Sequence, residues 1–154
     1  MLRESKTYLY VHVVWATWDR SPLLLGEVKN IAYQCIEREC QKMKARVIAI
    51  GGVEDHMHLL VDMPPTLPIA SLMKQVKGSS AHFVHNRPGG GAFFKWQGAY
   101  AAYSVGYRDV PYVIAYIQNQ EHHHRNRSEV ADMEIPEPPP TEILRGRRPT
   151  SGSS

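Results

Sequence analysis

Residues 46–63 read RVIAIGGVEDHMHLLVDM, and this stretch holds two runs of strand-forming residues separated by a pair of glycines. Branched and apolar residues over Arg46–Ile50 and His56–Met63 predict two strands, and Gly51 and Gly52 predict the turn between them. Because successive side chains of a strand point to opposite faces of the sheet, His56 and His58 face one side together. The apolar residues at positions 57, 59, 61 and 63 face the other side.

Further strands and helices alternate on either side of this stretch. Strand-forming sequence lies at Thr7–Trp18 and Ala99–Val105, and apolar spacings of three and four predict helices at Glu27–Lys44, Pro68–His85 and from Asp109 to about Arg125. The order βαββαβ, followed by one more helix, predicts an α+β fold. In this ferredoxin-like arrangement an antiparallel sheet carries helices on one face, and a C-terminal helix bears the tyrosines. We expect the other sheet face to be open and to carry the functional site.

The length and composition of the chain fit one globular domain. It has 154 residues, of which 43% are hydrophobic, and a net charge of +3, which permits a nucleic-acid partner without requiring one. The two cysteines, Cys35 and Cys40, share one predicted helix and are too few for a disulfide scaffold. No apolar run approaches the roughly 18 residues that span a bilayer, and the first residues lack the apolar core of a secretion signal. We therefore expect a cytoplasmic protein without membrane contact.

The composition changes near residue 128. Five of the eleven prolines and five acidic residues lie in residues 128–154, and such a segment cannot bury enough apolar surface to offset the entropy of ordering it. We therefore expect a folded domain over residues 1–127 and a proline-rich, disordered tail over residues 128–154.

Two groups of polar residues could carry chemistry. His56 and His58 project side by side and could both bind one metal ion, although two hydrogen-bonded imidazoles with a structural role fit the same spacing. On the last helix, Tyr112, Tyr116 and Gln120 are spaced by four and share one face. That pattern also suits an ordinary amphipathic helix, so neither group is decisive by itself.

Together the two groups fit a phosphoryl transfer. A divalent metal held by two imidazoles and an amide oxygen would polarise a phosphodiester, and a tyrosine hydroxyl four residues from that amide could attack the phosphorus. Because a phosphotyrosine retains much of the energy of the original bond, the reaction would be reversible and suited to cutting and rejoining a strand. Oxygen ligands favour Mg²⁺, whereas imidazoles are tolerated better by Mn²⁺.

Several segments resemble those of a known family. The sequence HMHLL at residues 56–60, preceded by Glu54 and Asp55, is similar to the His-hydrophobic-His (HUH) motif of the single-tyrosine transposases of small bacterial insertion sequences, which include the REP-associated tyrosine transposases. The sequence YIQNQ at residues 116–120, followed by EHH, resembles their tyrosine helix. The segments YVHVVW at residues 10–15 and MKQVKG at residues 73–78 are similar as well, so the resemblance spans about residues 7–125.

This resemblance implies a transposase, an enzyme that cleaves and rejoins single-stranded DNA. Tyr116 would be the nucleophile that forms a 5′-phosphotyrosine, and His56, His58 and Gln120 would bind the Mg²⁺ or Mn²⁺ ion. The family also implies recognition of DNA hairpins and a homodimer, in which the tyrosine helix of one subunit can complete the site of the other. Two alternatives stay open: a domesticated hairpin-binding protein that does not transpose, and a rolling-circle-type replication initiator nuclease.

Basic and aromatic residues outside these motifs could contact DNA, although each by itself is more commonly a solvated charge or a core ring. The candidates for phosphate contacts are Lys74, Lys77, Arg87, Arg108 and Arg125, and the candidates for base stacking are Trp96, Tyr100 and Tyr103.

Overall fold

The computed structural model describes residues 5–87 and 93–120, and the predictions for the end of the last helix, for Arg125 and for the tail lie outside them. Within these ranges, four strands and three α-helices follow one another in the predicted order. They are β1 (Tyr10–Ala16), α1 (Gly26–Lys42), β2 (Arg46–Val53), β3 (His56–Asp62), α2 (Ile69–His85), β4 (Ala101–Val105) and α3 (Val110–Gln118).

The four strands form one antiparallel sheet in the spatial order β2-β3-β1-β4. The two central strands are β1 and β3, whose register places Val14 opposite His58 and Ala16 opposite His56. β4 pairs with the other edge of β1, and β2 pairs with the other edge of β3. The predicted α+β class with an antiparallel sheet is therefore confirmed.

The helices α1 and α2 pack on one face of the sheet and form the larger core. Alternate residues of the two central strands point into this layer and are buried, namely Val11, Val13 and Trp15 of β1 and Met57, Leu59 and Val61 of β3. The alternation predicted for the third strand is confirmed, and it directs His56 and His58 to the opposite face.

That opposite face is partly covered by α3, so the prediction of an open face was wrong. Three residues of α3 pack on three residues of the sheet in a second, smaller core: Val113, Tyr116 and Ile117 on Tyr10, Ala49 and Leu60. The physical reason is that α3 carries an apolar stripe of its own, which is stabilised when it is removed from water. The helix therefore lies over the sheet face that bears the histidines.

Gly51 and Gly52 lie inside β2 rather than in a turn, which corrects a second prediction. They pair with His58 and Met57 in the ladder, and the chain reverses two residues later, at 54–55. A Cβ atom at Gly51 would lie 2.5 Å from the backbone carbonyl oxygen of Ile117. The absence of a side chain thus marks a close approach of helix and sheet.

The ends of two elements also differ from the prediction. β1 stops at Ala16 because the chain turns into a short 3₁₀ segment, Trp18–Arg20, in which Asp19 and Arg20 have positive φ angles of 53° and 49°. Asp109 precedes α3 as expected, yet its side chain makes no capping hydrogen bond within the described chain. None of the helices in residues 5–87 and 93–120 is long and apolar enough to cross a membrane.

Candidate metal and tyrosine site

Three histidines form a buried row on the sheet face beneath α3. His56 and His58 of β3 have exposed fractions of 0%, and His12 of β1 has one of 1%. The ring centroids of His56 and His58 are 5.2 Å apart, and those of His12 and His58 are 5.1 Å apart. The two histidines predicted from the sequence are therefore neighbours, and a third, unpredicted imidazole lies beside them.

Each of the two histidines predicted as metal ligands has a polar contact at its Nδ1 atom. His56 Nδ1 donates to Asp55 Oδ1 at 2.6 Å, and His58 Nδ1 lies 2.9 Å from Nε2 of His12. The hydrogen bond with His56, followed by the charges of His56 and Arg20, lowers the pKa of the Asp55 carboxyl despite its burial. A ring nitrogen that is engaged in a hydrogen bond does not coordinate a metal, so both imidazoles would bind through Nε2.

The helix α3 brings a phenol to the same sheet face, and a buried amide follows just after the helix ends. Tyr116 has an exposed fraction of 3%, and its ring centroid is 6.0 Å from that of His58. One turn later, Gln120 has an exposed fraction of 2% and donates from Nε2 to the carbonyl oxygen of Tyr116 at 3.3 Å. The amide oxygen of Gln120 is buried without a hydrogen-bond partner in the described part of the chain.

The buried oxygen of Gln120 indicates that the site suits a cation. A buried acceptor without a partner costs about 1–3 kcal/mol, and a bound ion would remove this cost. Among residues 5–87 and 93–120, no group of three His, Cys, Asp or Glu side chains is arranged to hold a metal. A cation at this face would therefore need a ligand of another type beside His56 and His58, and the Gln120 oxygen is chemically suited to that role.

Tyr112 does not share the environment of the other two helical candidates, because its exposed fraction is 58%. Residues four apart on a helix are rotated by about 40°, so the face shifts by about 80° between positions 112 and 120. The predicted stripe is therefore divided: Tyr116 and Gln120 face inward with Val113, and Tyr112 faces solvent.

Known proteins resemble this chain in sequence and in fold. The family described as transposase IS200 like matches residues 5–120 of the chain. The chain belongs to this family. Among individual proteins, it is 26% identical over 78 residues to the transposase for insertion sequence element IS200 of Salmonella typhimurium, covering 51% of each chain. It is 28% identical over 83 residues to the ISDra2 transposase TnpA of Deinococcus radiodurans, covering 52% of this chain and 59% of that one. The chain thus spans about half the length of the curated relatives it matches.

Two solved structures have a similar fold. One, described as a candidate transposase from Deinococcus radiodurans R1, is 25% identical with a TM-score of 0.59 and is matched over 96% of its length and 78% of this chain. The other, a REP-associated tyrosine transposase bound to a REP hairpin, is 17% identical with a TM-score of 0.62 and is matched over 92% of its length and 100% of this chain. At that identity the second similarity concerns the fold alone.

In this member of the IS200-like family, the candidate DNA contacts are distributed over both sides of the sheet. Lys74 is exposed on α2, across the sheet from the histidines, and Arg108 is exposed next to α3. Arg87 is half-buried and donates to the carbonyl oxygen of Val84 at 2.8 Å. These three residues stay predictions as phosphate contacts, and Arg125 lies outside the described residues.

Lys77 has a structural contact that the sequence did not predict. Its ammonium group donates to the carbonyl oxygens of Gln97 and Ala99 at 2.5 and 3.3 Å, which ties α2 to the segment that leads into β4. Burial lowers the pKa of this amine. A phosphate contact by Lys77 stays a prediction, and it would compete with these two hydrogen bonds.

The three aromatic candidates for base stacking lie in different environments. Trp96 is 5% exposed, donates to Ser80 Oγ at 2.8 Å and packs edge-on against Trp15, so it belongs to the core and a base cannot stack on it. Tyr100 is 38% exposed. Tyr103 lies opposite His12 in the β1–β4 ladder, with ring centroids 6.3 Å apart.

The contacts of His12, Gly51 and Asp55 were not predicted from the sequence. The face on which His12 lies could have been predicted, because positions 10, 12 and 14 of a strand point to the same side of the sheet. Whether the strand that bears His12 lies beside the strand that bears His58 depends on the strand order, and local sequence does not encode that order.

Proposed function

We propose that this protein is a metal-assisted DNA strand transferase that acts on single-stranded DNA, with Tyr116 as its nucleophile. Membership of the transposase family supports this activity. The single observation that carries the assignment of the nucleophile is the contact of the Tyr116 ring with His58, at 6.0 Å between centroids, inside a buried interface.

The proposed reaction is a transesterification, in which one P–O bond forms as another breaks. The Tyr116 oxygen attacks the phosphorus of a phosphodiester and forms a phosphotyrosine with the 5′ side of the DNA, while the bond to the 3′ oxygen breaks. The phenolic proton leaves, and the departing 3′ oxygen takes up a proton. Attack by a 3′ hydroxyl of another strand reverses these steps and releases Tyr116, so strands are rejoined without an external energy source.

His56, His58 and the Gln120 oxygen are the residues that would hold a divalent ion, Mg²⁺ or Mn²⁺. Such an ion supplies Lewis acidity toward the non-bridging oxygens of the phosphodiester. Because Gln120 is neutral, it would reduce that acidity less than a carboxylate ligand would.

DNA hairpins are the proposed recognition element, and the proposed assembly is a homodimer in the cytoplasm. The REP hairpin in the structural relative is a ligand of that protein, and we extend this ligand class to the present chain as part of the proposal. Family membership, together with the presence of Tyr116 and of both histidines of the motif, favours the enzyme over a hairpin-binding protein without strand transfer.

The test is the formation of a covalent protein–DNA adduct. Wild-type protein incubated with labelled hairpin oligonucleotides and Mg²⁺ or Mn²⁺ should give an adduct that survives denaturation, and Tyr116→Phe should bind the hairpin without forming it. Tyr112→Phe is the matched control, because its ring is exposed, and it should form the adduct at the wild-type yield. An undiminished adduct with Tyr116→Phe would refute the assignment, and hairpin binding without any adduct in the wild type would favour the binding-only alternative.

A further inference from the structure

The hydrogen bond between His12 and His58 determines which nitrogen of His58 can coordinate a metal. The two rings belong to adjacent strands, and both are at least 99% buried. At 2.9 Å between His12 Nε2 and His58 Nδ1, one nitrogen must donate and the other must accept, because two N–H groups cannot face each other at this distance. The direction of donation therefore selects the tautomer of His58.

Only one direction is compatible with coordination. If His12 donated, a neutral His58 would carry its hydrogen on Nε2 and could not bind a metal there. If His58 donates from Nδ1, its Nε2 carries a lone pair. We propose that His12 is a positioning residue whose Nε2 accepts a hydrogen bond from Nδ1 of His58 and thereby holds His58 in its metal-binding tautomer. This inference rests on the proposed function, in which His58 is a metal ligand.

The two metal-binding imidazoles are then oriented by chemically different partners. His56 donates to a carboxylate, Asp55, at 2.6 Å, and His58 donates to a neutral ring. Partners of this kind fix the ring orientation and the basicity of a ligand, and losing one typically weakens metal binding about 10–100-fold. A neutral acceptor adds no negative charge, so it orients His58 while withdrawing less Lewis acidity than a second carboxylate would.

The first test needs no metal and uses a variant only to assign the signals. Two-bond ¹H–¹⁵N correlation spectra of the uniformly labelled wild-type protein distinguish the histidine tautomers, and assignment of His58 can use the loss of its signals in His58→Gln. We expect the Nδ1–H form for His58. The Nε2–H form or a doubly protonated ring would overturn the proposal.

The second test measures Mn²⁺ affinity by isothermal titration calorimetry without DNA. His12→Phe, which fills the space but removes the acceptor, should bind Mn²⁺ about 10–100-fold more weakly than the wild type. His12→Gln, whose amide oxygen can reach the position of Nε2, should stay within about threefold of the wild type and should also retain the Nδ1–H form of His58. His82→Phe, on the exposed side of α2, controls for the loss of an imidazole elsewhere.

The outcomes separate this inference from the function on which it rests. If the wild type itself binds no Mn²⁺, the proposed metal site fails and this inference fails with it. If the wild type binds Mn²⁺ and folded His12→Phe binds it equally well, the role of His12 is refuted and the proposed function stands. Circular dichroism establishes folding, and if His12→Phe does not fold, the tautomer spectra and His12→Gln decide.

Discussion

Adding one methyl group at Gly51 should displace Tyr116, the proposed nucleophile, without contacting it. In Gly51→Ala the new Cβ atom would lie 2.5 Å from the carbonyl oxygen of Ile117 and 3.1 Å from its Cγ2 atom, whereas ordinary contact begins at 3.4 Å. The carbonyl must therefore withdraw by about 0.9 Å, the difference between 3.4 and 2.5 Å. Because Tyr116 precedes Ile117 in α3, the phenol moves with it.

The size of this displacement sets the expected loss of activity and stability. A shift of about 1 Å in a reacting group can lower a rate on the order of 100-fold, and forcing an extra carbon into a packed interface costs about 1–3 kcal/mol. The assay is the single-turnover rate of covalent adduct formation with a labelled hairpin, together with the free energy of unfolding from urea titration. We expect Gly51→Ala to reduce the rate about 100-fold and the free energy of unfolding by about 1–3 kcal/mol.

Gly78 provides the matched control. A Cβ atom at this helical position of α2 meets nothing within 4 Å, so Gly78→Ala should leave the adduct rate unchanged and stabilise the protein by about 0.5–1 kcal/mol. If Gly51→Ala formed the adduct at the wild-type rate, the approach of α3 to β2 would not be what positions Tyr116, whatever the change in stability.

Three further predictions concern the body of the domain. Lys77→Met should lower the free energy of unfolding by about 1–2 kcal/mol in urea titration, since it loses two hydrogen bonds to carbonyl oxygens; unchanged stability with weaker hairpin binding would instead favour a phosphate contact. Burial raises the pKa of Cys40 to about 12 and also raises the pKa of Cys35, so at pH 8 only about 1 in 10,000 Cys40 thiols is ionised. The folded protein should therefore react with Ellman's reagent only on unfolding, and rapid labelling of both thiols would contradict their burial. The hydrogen bond from Gln75 is the main cause that lowers the pKa of Glu39 below 4.5, so its stabilising contribution is present above about pH 4.5 and is lost as the pH falls through the lowered value. Urea titrations between pH 6 and 3 should show a smaller loss of stability in Gln75→Met than in the wild type, and identical slopes would refute the coupling.

The sequence was sufficient for features that depend on local periodicity. The alternation over β3 put His56 and His58 on one face because the period of two is a property of any strand, and the spacing in α3 put Tyr116 and Gln120 on one side. The sequence misled at Gly51 and Gly52, since a glycine pair favours a turn locally and nothing nearby reveals that Ile117, 66 positions after Gly51, approaches that residue.

Other features of the site depend on contacts between distant segments. His12 is 46 positions from His58, and its role becomes visible only when β1 and β3 are known to be adjacent. Trp96 suggested base stacking because aromatic residues are common at nucleic-acid surfaces, but its partners Trp15 and Ser80 lie on β1 and α2 and bury it. Tertiary packing, not composition, decided the role of each residue.

The sheet separates the side chains that form the main core from the side chains to which we assign catalysis. Most of the buried apolar side chains lie between the sheet and α1 and α2, whereas the layer beneath α3 is small. Sequence drift in the larger layer is therefore expected to change melting temperature while sparing reactivity, whereas drift beneath α3 is expected to change both. A lineage could in this way retune its DNA chemistry on an inherited, unaltered scaffold.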